Sequence, residues 1–281
     1  MPDNAGAGRG QAEIIDALAN GELTVLGRIP HASNVTLVAT VEYGDAPPLR
    51  CVYKPVRGEA PLWDFPDGTL AGREAAAYLI CAALGWDTVP PTVFRADGPH
   101  GPGMVQQWVE AAEQSVDAPV VPDLVDLCGP DAVPADCFPI VTGFDGRGDE
   151  VVLVHADDPR LQRMAVLDVL INNADRKGGH ILAGADGVVY GIDHGICLHV
   201  EDKLRTVLWG WAGHPVPGGL VVDVDALARR LDDPADPLVA ELGALITAEE
   251  IAALSARARA LVVDPVLPDP PPHRPIPWPP F

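Results

Sequence analysis

One stretch, residues 161–195 (LQRMAVLDVLINNADRKGGHILAGADGVVYGIDHG), constrains the fold more than any other. An apolar, helix-like run leads into a polar loop that carries Asp175, Arg176, Lys177 and His180. A short hairpin follows and ends at Asp193, next to Gly195. A chain that puts carboxylates at both ends of a hairpin, with an imidazole between them, gathers two acids and a ligand-type side chain at one place. Metal-dependent phosphoryl transfer needs such a set: a group to orient the attacking hydroxyl, ligands for the metal, and cations on the phosphates. The rest of the chain is read for the missing cations and for a place to hold a nucleotide.

With 281 residues, 48% hydrophobic and 21% charged, the chain is long and apolar enough to bury a real core. No apolar run approaches the roughly 18 residues of a membrane span. The first residues lack the pattern of a secretory signal, so a cytoplasmic location without integral membrane association is expected. The five cysteines are scattered without metal-type spacing and read as free thiols, although Cys128 and Cys137 are close enough to bridge a loop. A net charge of −21 repels nucleic acid and anionic lipid headgroups, and no lysine or arginine run offsets it. ATP is not excluded, because a few placed cations and magnesium can hold it.

Residues 1–21 read as a flexible N-terminal segment with a short helix over 12–18, stopped by Asn20-Gly21. Residues 22–109 read as an N-terminal lobe. Strands over 22–29, 34–42 and 49–54 form an antiparallel meander, the second with Val35, Leu37, Ala39 and Val41 on one face. A linker over 56–69 has Trp63 and Phe65 as anchors, and a helix over 72–84 is closed by Gly85. Strands over 89–94 and 103–109 complete the lobe, the last running into a hinge near Val109.

Residues 110–263 read as a mainly helical C-terminal lobe. The part over 110–139 is irregular, with one short helix near 124–127. A hairpin over 140–145 and 150–155 turns at Gly146-Arg147-Gly148. Pro159 opens the central helix, where its missing N–H costs nothing. Helical spacing recurs over 223–231, 237–245 and 248–262, the last with the capping box Thr247…Glu250. Trp209 and Trp211 read as core. The tail over 264–281 has proline at nearly every second position and reads as extended polyproline II rather than core. It either docks through Trp278 and Phe281 or serves as a ligand for a protein partner. The fold class is α+β: a two-lobed, protein-kinase-like fold with an antiparallel-sheet N-lobe.

In protein kinases an Asp is followed after four residues by an Asn metal ligand, and later by a strand-end Asp-Phe-Gly. Here Asp175 is followed after four residues by His180, and later by Asp193-His194-Gly195. Asn173-Ala174-Asp175-Arg176-Lys177-Gly178-Gly179-His180, preceded by Asp168-Val169-Leu170-Ile171, resembles the catalytic loop of phosphatidylinositol 3- and 4-kinases. Ile192-Asp193-His194-Gly195 is similar to that family's metal-binding motif. Val52-Tyr53-Lys54-Pro55 resembles the strand with its ATP lysine, and Arg73-Glu74 resembles the start of its paired helix. The HipA-like kinases share this ancestry at a greater distance.

The resemblance implies ATP with Mg2+ or Mn2+ as cofactors and a role for each matching residue. Lys54 would hold the α- and β-phosphates and Glu74 would orient it. Asp175 would position or deprotonate the acceptor hydroxyl, and Lys177 would either neutralise the transferring phosphate or stay solvated. His180 and Asp193 would bind the metal. Gln106, Gln107, Trp108 and Val109 would line the adenine pocket through backbone groups, and Ser33 or Asn34 would meet phosphate. His180 stands where the family has asparagine, and imidazole suits manganese or zinc better than magnesium. The phosphate-facing segment 28–34 lacks glycines. Two functions therefore stand: a phosphotransferase acting on a protein or soluble small-molecule hydroxyl, a lipid being disfavoured by charge, or a nucleotide-binding pseudokinase that works as an interaction module.

Overall fold

The strand periodicity of the first hundred residues produces a five-stranded antiparallel sheet. A computed structural model describes residues 10–30, 34–112 and 124–281. A helix, α1 (Gln11–Asn20), precedes β1 (Glu22–Arg28), β2 (Leu37–Glu42) and β3 (Leu49–Pro55). Helix α2 (Leu70–Ala83) separates these from β4 (Thr92–Gly98) and β5 (Gly101–Gln107), and the spatial order is β1-β2-β3-β5-β4. Leu37, Ala39 and Val41 of β2 are buried together with Leu49, Cys51 and Tyr53 of β3, as the alternation requires. Ile14, Ala17 and Leu18 of α1 close over this face, so residues 11–20 are packed structure. The helix expected over 12–18 is thus a structural part of the sheet layer.

Helix α2 ends in a Schellman motif. Gly85 takes φ +72°, its N–H donates to Ala82 O at 3.0 Å, and Trp86 N–H donates to Cys81 O at 3.0 Å. Its alanine-rich face joins the core of the second lobe rather than the core under the sheet. At Gly72 a Cβ would stand 2.9 Å from Leu245 O, so the helix lies against backbone there. Buried Arg73 fixes the same end by pairing with Glu250 and donating to Cys197 O at 2.8 Å. The helix that carries Glu74 is therefore tied to both lobes.

Beyond the sheet, β6 (Val125–Cys128), β7 (Cys137–Phe144) and β8 (Glu150–Ala156) form a three-stranded sheet in the order β6-β8-β7. The segment near 124–127 is an edge strand and not a helix. Its four residues pair with Val152–His155 of β8, and that tertiary ladder overrides a weak local helical pattern. Helix α3 (Pro159–Leu170) starts at Asp158, whose side chain accepts from Arg160 N–H, with Pro159 in the first turn. The hairpin β9 (Ile181–Ala183) and β10 (Val189–Gly191) follows, then α4 (Gly218–Asp232), α5 (Pro237–Gly243) and α6 (Ala248–Val263). The capping box at Thr247 and Glu250 is present. The core of this lobe gathers α2, α3, α4 and α6 with Trp211 and the segment around Leu208.

Two aromatic anchors are displaced from their expected roles. Phe65 is buried, with the Arg73 guanidinium 4.9 Å from its ring centroid, but Trp63 is 90% exposed. The proline-rich tail docks, yet Trp278 is 89% exposed and takes no part. Leu267 is buried instead, Pro275 O accepts from Thr206 N–H at 3.1 Å and Trp209 Nε1 at 2.9 Å, and Pro280 O accepts from Gly178 N–H at 2.8 Å. Phe281 lies so close to Gly178 that a Cβ there would sit 2.5 Å from its ring. Proline lacks an N–H donor, so the tail docks mainly through its carbonyls, with Leu267 N–H donating to His214 O at 3.0 Å. The five cysteines are free thiols.

Candidate active site

The stretch 161–195 folds around a hub that is sealed from solvent. Asp168 on α3 and Arg176 in the following loop are both fully buried. Arg176 Nε lies 3.2 and 3.1 Å from the two Asp168 oxygens, and Nη2 donates to Oδ1 at 2.9 Å. Asp168 also accepts from Asn173 Nδ2 at 2.9 Å and Thr206 Oγ1 at 3.1 Å. The guanidinium reaches on to Ile192 O at 3.2 Å and to His194 Nε2 at 2.6 Å. At Gly191 a Cβ would stand 2.9 Å from Arg176 Nη2, so the end of β10 needs glycine there. One cation thus ties the Asp175 loop to the strand that delivers Asp193. Burial and the neighbouring Arg176 charge hold His194 well below the usual histidine range, so its imidazole is neutral and accepts from Arg176.

Above this hub the expected residues meet at the mouth of a cleft. Lys54 Nζ donates to both oxygens of Glu74, at 2.9 and 3.1 Å, and also to Asp193 Oδ1. Burial disfavours the Lys54 charge, but the two carboxylates outweigh it and raise its pKa above the ordinary lysine value. Burial pushes Glu74 up to about 7 against the pull of Lys54. The Lys54 charge holds Asp193 well below the usual carboxylate range. Asp193 takes φ +62°, a left-handed turn that a short polar side chain tolerates, immediately after the hairpin. His180 Nε2 lies 3.3 Å from Asp193 Oδ2, and burial lowers the imidazole to about 4.

Asp175 pairs with Lys177 at 3.3 Å and accepts no bond from Arg176, whose partner is Asp168. Burial raises Asp175 above the usual carboxylate range while Lys177 opposes the shift. A cavity of about 220 Å³ is bounded by Lys54, Asp193 and the run Gln106, Gln107, Trp108, Val109. Val52 and Leu182 supply apolar walls that the sequence did not mark out. Gln107 N–H donates to Pro91 O and Trp108 N–H to Arg50 O, both within the sheet layer. Gln106 Nε2 is turned away to Thr92 Oγ1 at 2.8 Å.

Asn34 is not brought to this cleft: its Oδ1 accepts from Ala60 N–H at 2.7 Å, which fastens the β1–β2 connection to the linker. Ser33 lies outside the described residues. Asp168, Arg176 and Thr206 were missed as organisers of the site. The signal for them was the lone acid in the apolar run 164–171, a charge no buried helix face tolerates unpaired.

Among the described residues no group of three or more metal-type side chains clusters. Asp193 and His180 form a two-donor set with a neutral imidazole and an ionised carboxylate. Such a set fits a divalent ion that takes its remaining ligands from nucleotide phosphates and water.

The fold defines the class. Over 90% of this chain, and 74% of the other, it superimposes on the Golgi casein kinase with Mn/ADP bound, with a TM-score of 0.51 at 13% identity. The Helicobacter pylori proinflammatory kinase CtkA scores 0.42 at 10% identity, over 87% of this chain and 97% of its own. The chain has a two-lobed, kinase-like α+β fold. No family model matches it. The chain belongs to the family of Protein Rv2133c of Mycobacterium tuberculosis, with which it is 58% identical over 266 residues, 94% of each chain. No helix among the described residues is long and apolar enough to cross a membrane.

Proposed function

We propose that this protein is an ATP- and divalent-metal-dependent phosphotransferase, related to the phosphatidylinositol 3- and 4-kinases, that phosphorylates a hydroxyl of a protein or soluble small molecule. The observation that carries the reading is Lys54: a part-buried ammonium fixed by Glu74 of α2 and facing Asp193 across the cleft. A structural ion pair needs no third partner from the other lobe, whereas a phosphate clamp needs its cation and its metal ligand at one point. The sequence resemblance of the Asp175 loop and of Ile192-Asp193-His194-Gly195 supports the finer family assignment.

In this reading the adenine sits against Val52 and Leu182, with backbone groups of residues 107–109 at its edge. Lys54 holds the α- and β-phosphates. His180 and Asp193 would hold a divalent ion, which when bound supplies charge neutralisation on the phosphates. Asp175 accepts the acceptor's proton as its oxygen bonds to the γ-phosphorus. The bond from that phosphorus to the β–γ bridging oxygen breaks, and its electron pair leaves with ADP. Lys177 sits beside Asp175, where its ammonium meets the phosphoryl in flight. Fixed placement of these groups, more than covalent chemistry, accelerates such a reaction.

A thermal-shift titration with ATP and Mg2+ or Mn2+, followed by assay of ADP release, tests this. Stabilisation by nucleotide is expected in the wild type and in Asp175→Ala, with ADP release lost in the latter. Stabilisation without any turnover returns the interaction-module reading, and no response to any nucleotide removes both. In His180→Asn, metal preference is expected to move from Mn2+ towards Mg2+; identical metal profiles would show that the imidazole is not a ligand.

A further inference from the structure

A second cavity lies outside the nucleotide cleft. It encloses about 770 Å³ between α6, the segment around residues 202–209 and the start of the proline-rich tail. Three arginines line it, Arg205, Arg257 and Arg274, and none of them forms an ion pair with a described residue. In a chain with 19 lysines and arginines against 40 acids, three unpaired guanidinium groups around one space call for an explanation. The fourth cation, Lys203, is neutralised by Asp64 at 3.0 Å.

Arg257 gives the strongest demand. Its Nε donates to Leu170 O at 2.8 Å and its Nη1 reaches His199 O at 3.4 Å, which fixes the plane of the group. Nη2 is buried and has no hydrogen-bond partner among the described residues. A guanidinium cannot shed its proton to escape that cost, so an anion is the group that completes it. Three carboxylates share the wall, Asp202, Asp264 and Asp269; all three are exposed, and the charge of Asp202 acts on Arg257 without forming an ion pair with it. Arg205 and Arg257 are the part-buried cations of this wall, while Arg274 and the three carboxylates are exposed at its rim.

Arg205 connects this cavity to the chemistry. Its N–H donates to Asn173 O at 2.9 Å and its carbonyl accepts from Arg176 N–H at 3.1 Å, on either side of Asp175. Its charge also acts on the Asp175 carboxylate. We propose that this cavity holds the acceptor, and that the acceptor is a small hydroxyl-bearing molecule with an anionic group, the anion seated on Arg257 and Arg274. The acceptor role rests on the phosphotransferase reading above, with the same transfer: the acceptor oxygen gains the γ-phosphoryl, its proton goes to Asp175, and ADP departs. The anion site itself does not depend on that reading. Tail residues such as Leu267 and Arg274 then serve as a wall of the acceptor pocket.

The experiment uses the full chain with the nucleotide site saturated by ADP and Mn2+, so that added phosphates cannot be scored there. Calorimetric titrations with glycerol 3-phosphate and glucose 6-phosphate are compared with glycerol and glucose. At least one ester is expected to saturate while its neutral counterpart does not. Arg257→Gln and the exposed Arg274→Gln should each weaken that binding about tenfold or more, as loss of a charged hydrogen bond does. The ADP-dependent thermal shift should stay unchanged in both. With ATP present, the bound ester should raise ADP release in the wild type and not in Arg274→Gln. Failure of both esters to bind, equal binding of the neutral compounds, or unchanged binding in the arginine variants overturns the anion site. Binding that leaves ADP release unaltered overturns the acceptor role. A wild type that shifts with neither ADP nor ATP instead sinks the phosphotransferase reading, and ester binding measured without nucleotide then judges the site alone.

Discussion

Two charged clusters adjoin the loop that follows α3 and obey opposite rules. Asp168 and Arg176 are fully buried, and Asp168 is satisfied on both oxygens by Arg176, Asn173 and Thr206. Lys54, Glu74, Asp193 and His180 sit at a cleft, with Asp193 half-exposed and His180 Nδ1 without a partner among the described residues. The sealed cluster has one arrangement, because any opening strands a charge in low dielectric. The open cluster has loose ends that a nucleotide and a metal can take up. A site for phosphate chemistry needs both: a fixed platform, and groups that exchange partners above it.

The largest effect expected from breaking the sealed cluster is on stability. Arg176→Met leaves Asp168 buried and unpaired, and truncating one partner of a buried pair costs about 3–5 kcal/mol. Urea denaturation of the variant should show that loss, and ADP release should vanish with it because the Asp175 loop and β10 are no longer tied. A midpoint within error of the wild type would mean that the hub does not organise the site. The double variant Asp168→Leu with Arg176→Met sharpens the point. It should recover part of the stability, since two apolar groups replace the pair, but none of the activity.

Asp175, in the loop between the two clusters, should respond the other way. Asp175→Asn keeps the shape and removes only the proton acceptor, so its folding free energy should change by less than about 0.5 kcal/mol. Its turnover should fall by about 10²-fold or more, the scale of general-base catalysis. Equal turnover in the variant and the wild type would remove Asp175 from the chemistry. Together the two substitutions separate platform from reagent: the first should cost stability and rate, the second rate alone.

The same division governs how much could be read before any coordinates. The sheet was legible because Leu37, Ala39 and Val41 alternate, and α2 and α6 because their ends carry a Gly85 cap and a Thr247 capping box. Lys54, Glu74, His180 and Asp193 were each marked by a motif, and the fold brings them together. The hub was not, because Asp168 and Arg176 lie eight residues apart and nothing local states that they face each other. The edge strand at 125–128 reads as helix in the sequence because its pairing partner, Val152–His155, lies beyond the intervening strand β7. Asn34 reads as a phosphate contact in a short segment, but its side chain accepts instead from Ala60 N–H, 26 residues further on. Trp63 and Trp278 were chosen as anchors for their size, and chain direction at each leaves the indole in water. Residues that a motif marks were legible; pairings that no motif marks, near or far in sequence, were not.

A comparison of two histidines carries the division to its smallest expected effect. His155 is fully buried, its Nδ1 lies 3.0 Å from Ala156 O, and its Nε2 accepts from Gly210 N–H at 2.9 Å. That pattern fixes the neutral tautomer with the proton on Nδ1, and protonating Nε2 would oppose Gly210 N–H. Burial holds its pKa below the ordinary value of 6.5, against the bond to Ala156 O and the charge of Asp157. The unfolded chain takes up the proton first, so stability is complete above about pH 6.5 and declines as pH falls through the window down to the lowered folded value. Within that window His155 contributes a slope of up to about 1.4 kcal/mol per pH unit. His155→Gln should flatten the stability–pH curve by that slope and leave the nucleotide-induced shift at neutral pH intact. His180→Asn should do the reverse at neutral pH, altering the metal-dependent nucleotide shift. If His155→Gln leaves the acid limb of the stability curve unchanged, the sealed imidazole is not the group that titrates.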